Sequence, residues 1–375
     1  MKERSTQHHG WIDLLRIIAC FLVVASHCSD PFLVSESRSD FIGGWVIGSI
    51  ARCSVPLFVM ISGALLLPTS LGTKAFYAKR IKRIAIPLTF WSIALPLLFY
   101  IYINWGGGSS FPLIPSSSYT LEDTCTKALT FPVNFNYDTT PLWYLYMLVG
   151  LYFIIPIIST WIKNSSRDEV KNVLKLWFAT LFLPYIEFAA QTAGFIGYPG
   201  NSHILGVCDW NIFGTFYYVS GFIGYLLLGY YWTAYPPQWS WRKILCISIP
   251  SFIIGTSITF LSLDLLIAYL PQFTSYAWLF SIVHVFLITF PLFVIIQKMN
   301  IKPSKKLAQV ASTSFGIYLS HFIFIHINYD LLQQILPAGT PSAVHVLCNS
   351  IITFITCHII IRIMYHCRQT RQLVA

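Results

Sequence analysis

An arginine and a histidine eleven residues apart, Arg16 and His27, interrupt the otherwise apolar run 11–28. At about 100° per residue, that spacing is three helical turns plus roughly 20°. Both side chains therefore leave one helix face, about 16 Å apart along the axis. Asp13 stands on the same side, one turn before Arg16. An imidazole takes or gives a proton near neutral pH, or attacks a carbonyl directly. A cation with an acid beside it positions a charged group. In line, the three make a polar stripe that could border a path through a membrane. The plainer reading is that Asp13 and Arg16 pair or snorkel at one interface while His27 caps the other end.

Further candidates lie beyond this helix. Arg52, in Ala51-Arg-Cys-Ser-Val-Pro56, sits about eleven residues into a second apolar run, too deep to snorkel easily. It needs a partner such as Glu187, or it steadies a developing oxyanion or an anionic group. Lys79-Arg80-Ile-Lys82-Arg83 directly precedes a third run. Such a cluster fixes topology, and guanidinium forks also match phosphate oxygens. Glu187, His284 and His321 are single polar residues in apolar runs, for packing or hydrogen bonding unless they line a cavity. The nine cysteines include no CxxC, and no spacing suggests a metal site. Cys28, Cys125 and Cys208 stand where an oxidising side would permit a disulfide.

The elements that must carry these residues follow from composition. Of 375 residues, 55% are hydrophobic and 10% charged, against about 25% charged in soluble domains. Such a chain cannot cover a globule with polar groups, so lipid is part of its solvent. A bilayer core takes roughly 20 apolar residues per helix. Ten runs qualify, at approximately 11–28, 41–67, 84–104, 141–162, 172–195, 212–234, 244–265, 276–297, 307–329 and 342–365. The expected fold is all-α and polytopic, one transmembrane domain over 1–375. Asp13 and Arg16 interrupt the first run and no small-x-small site follows, so it is expected to be retained rather than cleaved as a signal peptide.

With the N-terminus inside, 20 of the 24 Lys and Arg residues fall on the cytoplasmic side, and only Arg38 and Lys127 in outer loops. Both termini are therefore expected in the cytoplasm. The outer segments carry acids instead: Asp30, Glu36, Asp40, Glu122, Asp123, Asp138 and Asp209. The net charge of +10 is thus a topology signal, and no basic-aromatic stripe implies a nucleic-acid partner.

Several stretches, in order, are similar to a known family. Trp11-Ile-Asp13-Leu-Leu-Arg16, ten residues and His27 resemble the Arg, ten residues, His signature of the acyltransferase-3 membrane family. Val55-Pro56-Leu57-Phe58-Val59-Met60-Ile61-Ser62-Gly63 resembles its Pro-Leu-Phe-Phe…Ser-Gly stretch, and Arg80-Ile-Lys-Arg83 its Arg-x-x-Arg motif. Leu142-Trp143-Tyr144-Leu145 is similar to its Leu-Trp-Phe-Leu, and Ser314-Phe-Gly-Ile-Tyr318-Leu-Ser-His321 to its Gly-Ile-Tyr-Leu…His stretch. Pro141 departs from the pattern, because many members have His there. The resemblance covers nearly the whole chain. It is nearest the single-domain branch that O-acetylates bacterial surface polysaccharides, enterobacterial common antigen among them. The extracytoplasmic hydrolase-like domain of some relatives is expected to be absent.

That resemblance implies acyl transfer across a bacterial inner membrane. The donor would be cytosolic acyl-CoA, usually acetyl-CoA, a substrate rather than a permanently bound cofactor. The acceptor would be a sugar hydroxyl of a surface polysaccharide or of its lipid-linked precursor. Arg80 and Arg83, with Lys79 and Lys82, would hold the donor's phosphates. His27 would act as base or become acylated, with Arg16 positioning the donor and Asp13 orienting Arg16. Arg52, Glu187, His321, Ser62, Trp143 and Tyr146 are possible oxyanion or substrate contacts. The rival class is a transporter or flippase for a glycan or lipid-linked sugar, against which stand the absence of an inverted repeat and of evident discontinuous helices.

Overall fold

The structure, a computed structural model, describes residues 9–114, 119–195, 206, 215–216 and 218–374. The expected all-α class holds: the chain is 79% helix, with no strand among the described residues. Helices run at α1 Gly10–Leu33, α2 Arg38–Ala51, α3 Ser54–Leu66, α4 Thr73–Trp105, α5 Leu121–Thr130, α6 Trp143–Asn164 and α7 Arg167–Thr180. They continue at α8 Leu183–Thr192, α9 Phe222–Ala234, α10 Trp241–Tyr269, α11 Val283–Lys298, α12 Lys305–Ile335 and α13 Ser342–His366. Nine stretches among the described residues are long and apolar enough to span a bilayer. The span expected at 212–234 contributes α9, and residues 212–214 and 217 of it lie outside the described residues. So do Cys208, Asp209 and the N-terminal Lys2 and Arg4.

Two helices that the apolar runs implied to be continuous are interrupted. The second span breaks between α2 and α3 at Arg52-Cys53, and the fifth between α7 and α8 at Leu181-Phe182. Proline accounts for both. A proline lacks the amide that would bond the carbonyl four residues back, and its ring collides with that carbonyl. For Pro56 that carbonyl is Arg52's, and for Pro184 it is Thr180's, where α7 ends. The absence of discontinuous helices, one argument against a transporter, is therefore corrected.

Helix sidedness shows why lipid is the solvent. Along α13, Asn349, Ser350 and Thr353 are buried, whereas Leu347, Ile351, Ile355, Ile359 and Ile363 are exposed. Likewise α10 buries Ser248, Ser251 and Thr259 and exposes Ile253, Ile254, Leu261 and Leu265. Small and polar residues pack helix against helix while large apolar ones face out, the pattern of helices that associate inside a bilayer.

The chain divides into two compact units. The first comprises 1–54, 71–153 and 299–375. In it α1 lies against α2, α12 and α13, and α4 against α5 and α12. Polar side chains tie α12 to α13: Asn328 Nδ2 donates to Thr353 Oγ1 at 2.9 Å, and Asn349 Nδ2 to the Ile325 carbonyl at 3.2 Å. Ser342 Oγ donates to the Asp40 carbonyl at 2.9 Å, fixing α13 beside α2. The second unit comprises 55–70 and 154–298. There α3 crosses α9 so closely that a Cβ on Gly63 would run into the Leu226 carbonyl, and one on Gly229 into that of Met60. Trp177 of α7 covers Gly224 and donates to the Gly221 carbonyl at 2.9 Å.

Candidate active site

His27 and Asp30 face one another on the last turns of α1. Nδ1 of the imidazole lies 3.0 Å from Oδ2 of Asp30. An ionised carboxylate only accepts, so Nδ1 carries the proton and Nε2 keeps its lone pair. The side chains are 19% and 25% exposed, so solvent only partly screens the pair. The carboxylate also acts electrostatically on Arg52, which is buried at the C-cap of α2, and on the hydroxyl of Tyr137. Pro31 sits four residues after His27, so the His27 carbonyl receives no helical amide from that position.

A second imidazole faces the first. The His321 ring, fully buried on α12, has its centroid 5.5 Å from that of His27. Its Nδ1 donates to the Tyr318 carbonyl at 2.7 Å, since a carbonyl only accepts. His321 is thus the neutral tautomer with an Nε2 lone pair, and that buried atom has no hydrogen-bond partner. One turn further along, His326 repeats the arrangement: Nδ1 donates to the Phe322 carbonyl at 2.6 Å, and Nε2 accepts from the Tyr137 hydroxyl at 3.1 Å. Phe322 stands between the two systems, its ring 5.4 Å from His27 and 4.9 Å from His326.

The far end of α1 is cationic. Asp13 is buried and acts electrostatically on Arg16, as does Arg83 with the opposite sign. Arg80 feels Arg83 and the Tyr152 hydroxyl. Lys79, Lys82 and Arg83 are exposed and Arg80 is half-buried, all within α4, whose helix continues past the apolar run in both directions. Arg83 thus lies within electrostatic reach of both Arg16 and Arg80. The stripe on α1 is polar only at these two ends. On the same face, between Arg16 and His27, lie Cys20 and Val23, both buried, with Cys20 Sγ 3.4 Å from the Ser314 carbonyl of α12.

The candidate site thus runs from a cationic end of α1 past buried Cys20 and Val23 to a carboxylate-held imidazole. Residues 9–362 match the acyltransferase-3 family, described as an acyltransferase domain. The chain belongs to that family. No curated protein and no solved structure matches the chain. The protein is therefore a multi-pass membrane acyltransferase.

The remaining expected residues of this acyltransferase divide by unit. His321 joins His27 in the first. Trp143 is half-buried, whereas Tyr146 is 40% exposed beside Phe135. It is Tyr144, buried two residues earlier, whose ring approaches Tyr318, at 5.6 Å, and Tyr318 in turn approaches His321, at 6.0 Å. Tyr318 donates its hydroxyl to the carbonyl of Pro141, the position that departs from the family pattern. Ser62 and Glu187 belong to the second unit, where Ser62 Oγ donates to the Phe58 carbonyl at 3.0 Å and Gln191 Nε2 donates to Glu187 at 3.3 Å. His284 there lies 2.6 Å from the Tyr185 hydroxyl through Nδ1. Cys28 is a buried free thiol and Cys125 an exposed one.

Asp30, His326 and Tyr137 were not among the expected site residues. Asp30 was legible as the residue three after His27, a helical neighbour spacing. His326 lies five after His321 on the same helix, a spacing that separates rather than aligns side chains, and Tyr137 opens a short 3-10 helix, Tyr137–Leu142, ahead of α6. Neither carried a local signal.

Proposed function

We propose that this acyltransferase moves an acetyl group from cytosolic acetyl-CoA to a sugar hydroxyl on the outer side of a bacterial inner membrane. The acceptor is a surface polysaccharide or its lipid-linked precursor. The observation that carries this reading is the placement of the His27–Asp30 pair and the Arg16–Arg80–Arg83 cluster at opposite ends of one continuous helix, α1. The excess of Lys and Arg in the loops on the cluster's side supports a cytosolic donor.

In this reaction Arg80 and Arg83 hold the donor's phosphates, and the pantetheine arm passes Arg16 between Cys20 and Val23. The thioester carbonyl then stands at His27. The acceptor hydroxyl gives its proton to Nε2 as its oxygen bonds the carbonyl carbon. Asp30 stabilises the imidazolium that results. Collapse of the tetrahedral oxyanion breaks the C–S bond, and the imidazolium returns its proton to the leaving thiolate. No net charge is left behind. Arg52, buried and within the field of Asp30, would steady the oxyanion.

The test is transfer of radiolabelled acetyl from acetyl-CoA to cell-envelope glycan, with wild type and His27→Ala at matched membrane levels. Label with wild type alone is the expected result. Equal label in both would remove His27 from the chemistry, and no label in either would favour the transporter reading that the interrupted spans permit.

A further inference from the structure

A ladder of rings leads away from His27 through the first unit. From Phe322 and His326 it passes to Phe111, whose centroid is 4.0 Å from that of His326, then to Tyr329 at 5.1 Å and His345 at 4.9 Å. It ends near the start of α13, the end of that helix remote from the Arg362–His366 turn. His345 is 5% exposed, and its ring nitrogens have no hydrogen-bond partner beyond the backbone of the same residue. At the other end stands His321 Nε2, also buried and unpartnered. Leaving a buried polar atom unsatisfied is costly, so such atoms mark places that a polar ligand completes. Aromatic walls with polar atoms at either end fit a sugar, whose C–H faces pack on rings while its hydroxyls give and take hydrogen bonds.

Phe111 enters this ladder from a strap, residues 106–114, rather than from a membrane helix. It is 2% exposed, wedged against His326 and Tyr329. The strap is latched at one carboxylate. Asp330 accepts from Ser110 N at 2.9 Å, from Ser110 Oγ at 2.5 Å and from the Tyr102 hydroxyl. It starts at a hinge: Gly107 and Gly108 have φ of 97° and 83°, and no atom lies within 4 Å of where their side chains would begin. Only glycine adopts such angles at little cost.

We propose that the ring ladder from His321 to His345 is the acceptor subsite, that it takes a glycan, and that Phe111 holds a sugar's place until the acceptor displaces the strap. The inference rests on the acetyl transfer proposed above and names where its second substrate binds.

The experiment uses the full chain in nanodiscs, radiolabelled acetyl-CoA, and glycan extracted from the envelope of the cells that make the protein. Tyr329→Leu and His345→Leu are expected to raise the half-saturating glycan at least tenfold with the acetyl-CoA half-saturation unchanged. Should either fail to fold, Asp330→Asn, which releases the strap and leaves the ladder whole, is expected to lower the half-saturating glycan severalfold and to speed acetyl-CoA hydrolysis without glycan. Glycan saturation that is the same in all three variants as in wild type overturns the subsite. So does acetyl-CoA saturation that shifts in step with it. A wild type that transfers no acetyl to glycan overturns the acetyl-transfer reading itself, and the subsite with it.

Discussion

Replacing Asp30 by Asn keeps the shape of the side chain beside His27 and removes its charge. The structure sets the scale of the loss. At the 3.0 Å between Nδ1 and Oδ2, a carboxylate stabilises an imidazolium by about 1.4 kcal/mol in bulk water and about 5.5 kcal/mol at the effective dielectric of a protein surface. The pair is three-quarters or more buried, which places the effect between these limits. If the imidazolium forms in the rate-limiting step, kcat should fall roughly 10²- to 10³-fold. KM for acetyl-CoA should stay within about twofold, because the proposed phosphate contacts lie at the other end of α1. Asp30→Glu should recover some of the loss, since its longer side chain restores the charge at imperfect distance. The assay is acetyl transfer to envelope glycan under saturating donor, with membrane levels matched by immunoblot. A kcat within twofold of wild type in Asp30→Asn would refute the argument. It would mean that no positive charge develops on His27 in the rate-limiting step, which excludes a proton-accepting and an acyl-accepting imidazole alike.

Arg80→Ala and Arg83→Ala should each raise KM for acetyl-CoA by about tenfold with kcat little changed, as loss of a charge-assisted phosphate contact predicts. Raising salt should increase the wild-type KM more than that of either variant, and steady-state kinetics over a salt series checks both points. The orientation of the chain is testable through Cys125 and Cys367, the two exposed cysteines outside the spans among the described residues. Backbone hydrogen bonds from Gln369 and Thr370 hold the Cys367 thiol below its ordinary pKa. More of it is thiolate at any given pH below that ordinary value, so its labelling persists to lower pH than that of a free thiol. In single-cysteine variants, an impermeant maleimide should reach Cys125 in intact spheroplasts and Cys367 only after the membrane is opened.

The architecture was legible in the sequence for a physical reason: lipid demands runs of about twenty apolar residues, and such runs are local. Nine of the expected spans appear as helices of the required length and apolarity among the described residues. What the runs hid was the interruption at Arg52-Cys53, because hydropathy does not register a missing amide. Pro56 was visible, but as a motif residue rather than as a break. The Arg16–His27 stripe was legible because both residues share one helix with a fixed turn angle. His321 was visible as a lone polar residue, yet its approach to His27 depends on how α12 crosses α1, which no spacing within either helix encodes. The same holds for Tyr144 against Tyr146: the pattern named an aromatic pair, and the helix rotation that turns Tyr144 toward Tyr318 is set by packing.

The closed waist of α1 bears on which donors the proposed reaction can use. A polar channel from Arg16 to His27 would let protons and ions cross the membrane at every turnover. Cys20 and Val23 instead close the shared face against α12, and the polar groups reach in from either end only. A donor must then push aside a pair of small side chains and span about 16 Å with its charge left behind. An acyl phosphate does not meet that demand, because its anionic group is bonded to the acyl carbon and would have to enter the waist with it. An acyl-CoA would, because in the proposed reaction its phosphates remain at Arg80 and Arg83 while a thin, uncharged arm carries the thioester forward. In the proposed reaction the length of the apolar gap would thus select the carrier, independent of any contact with the acyl group.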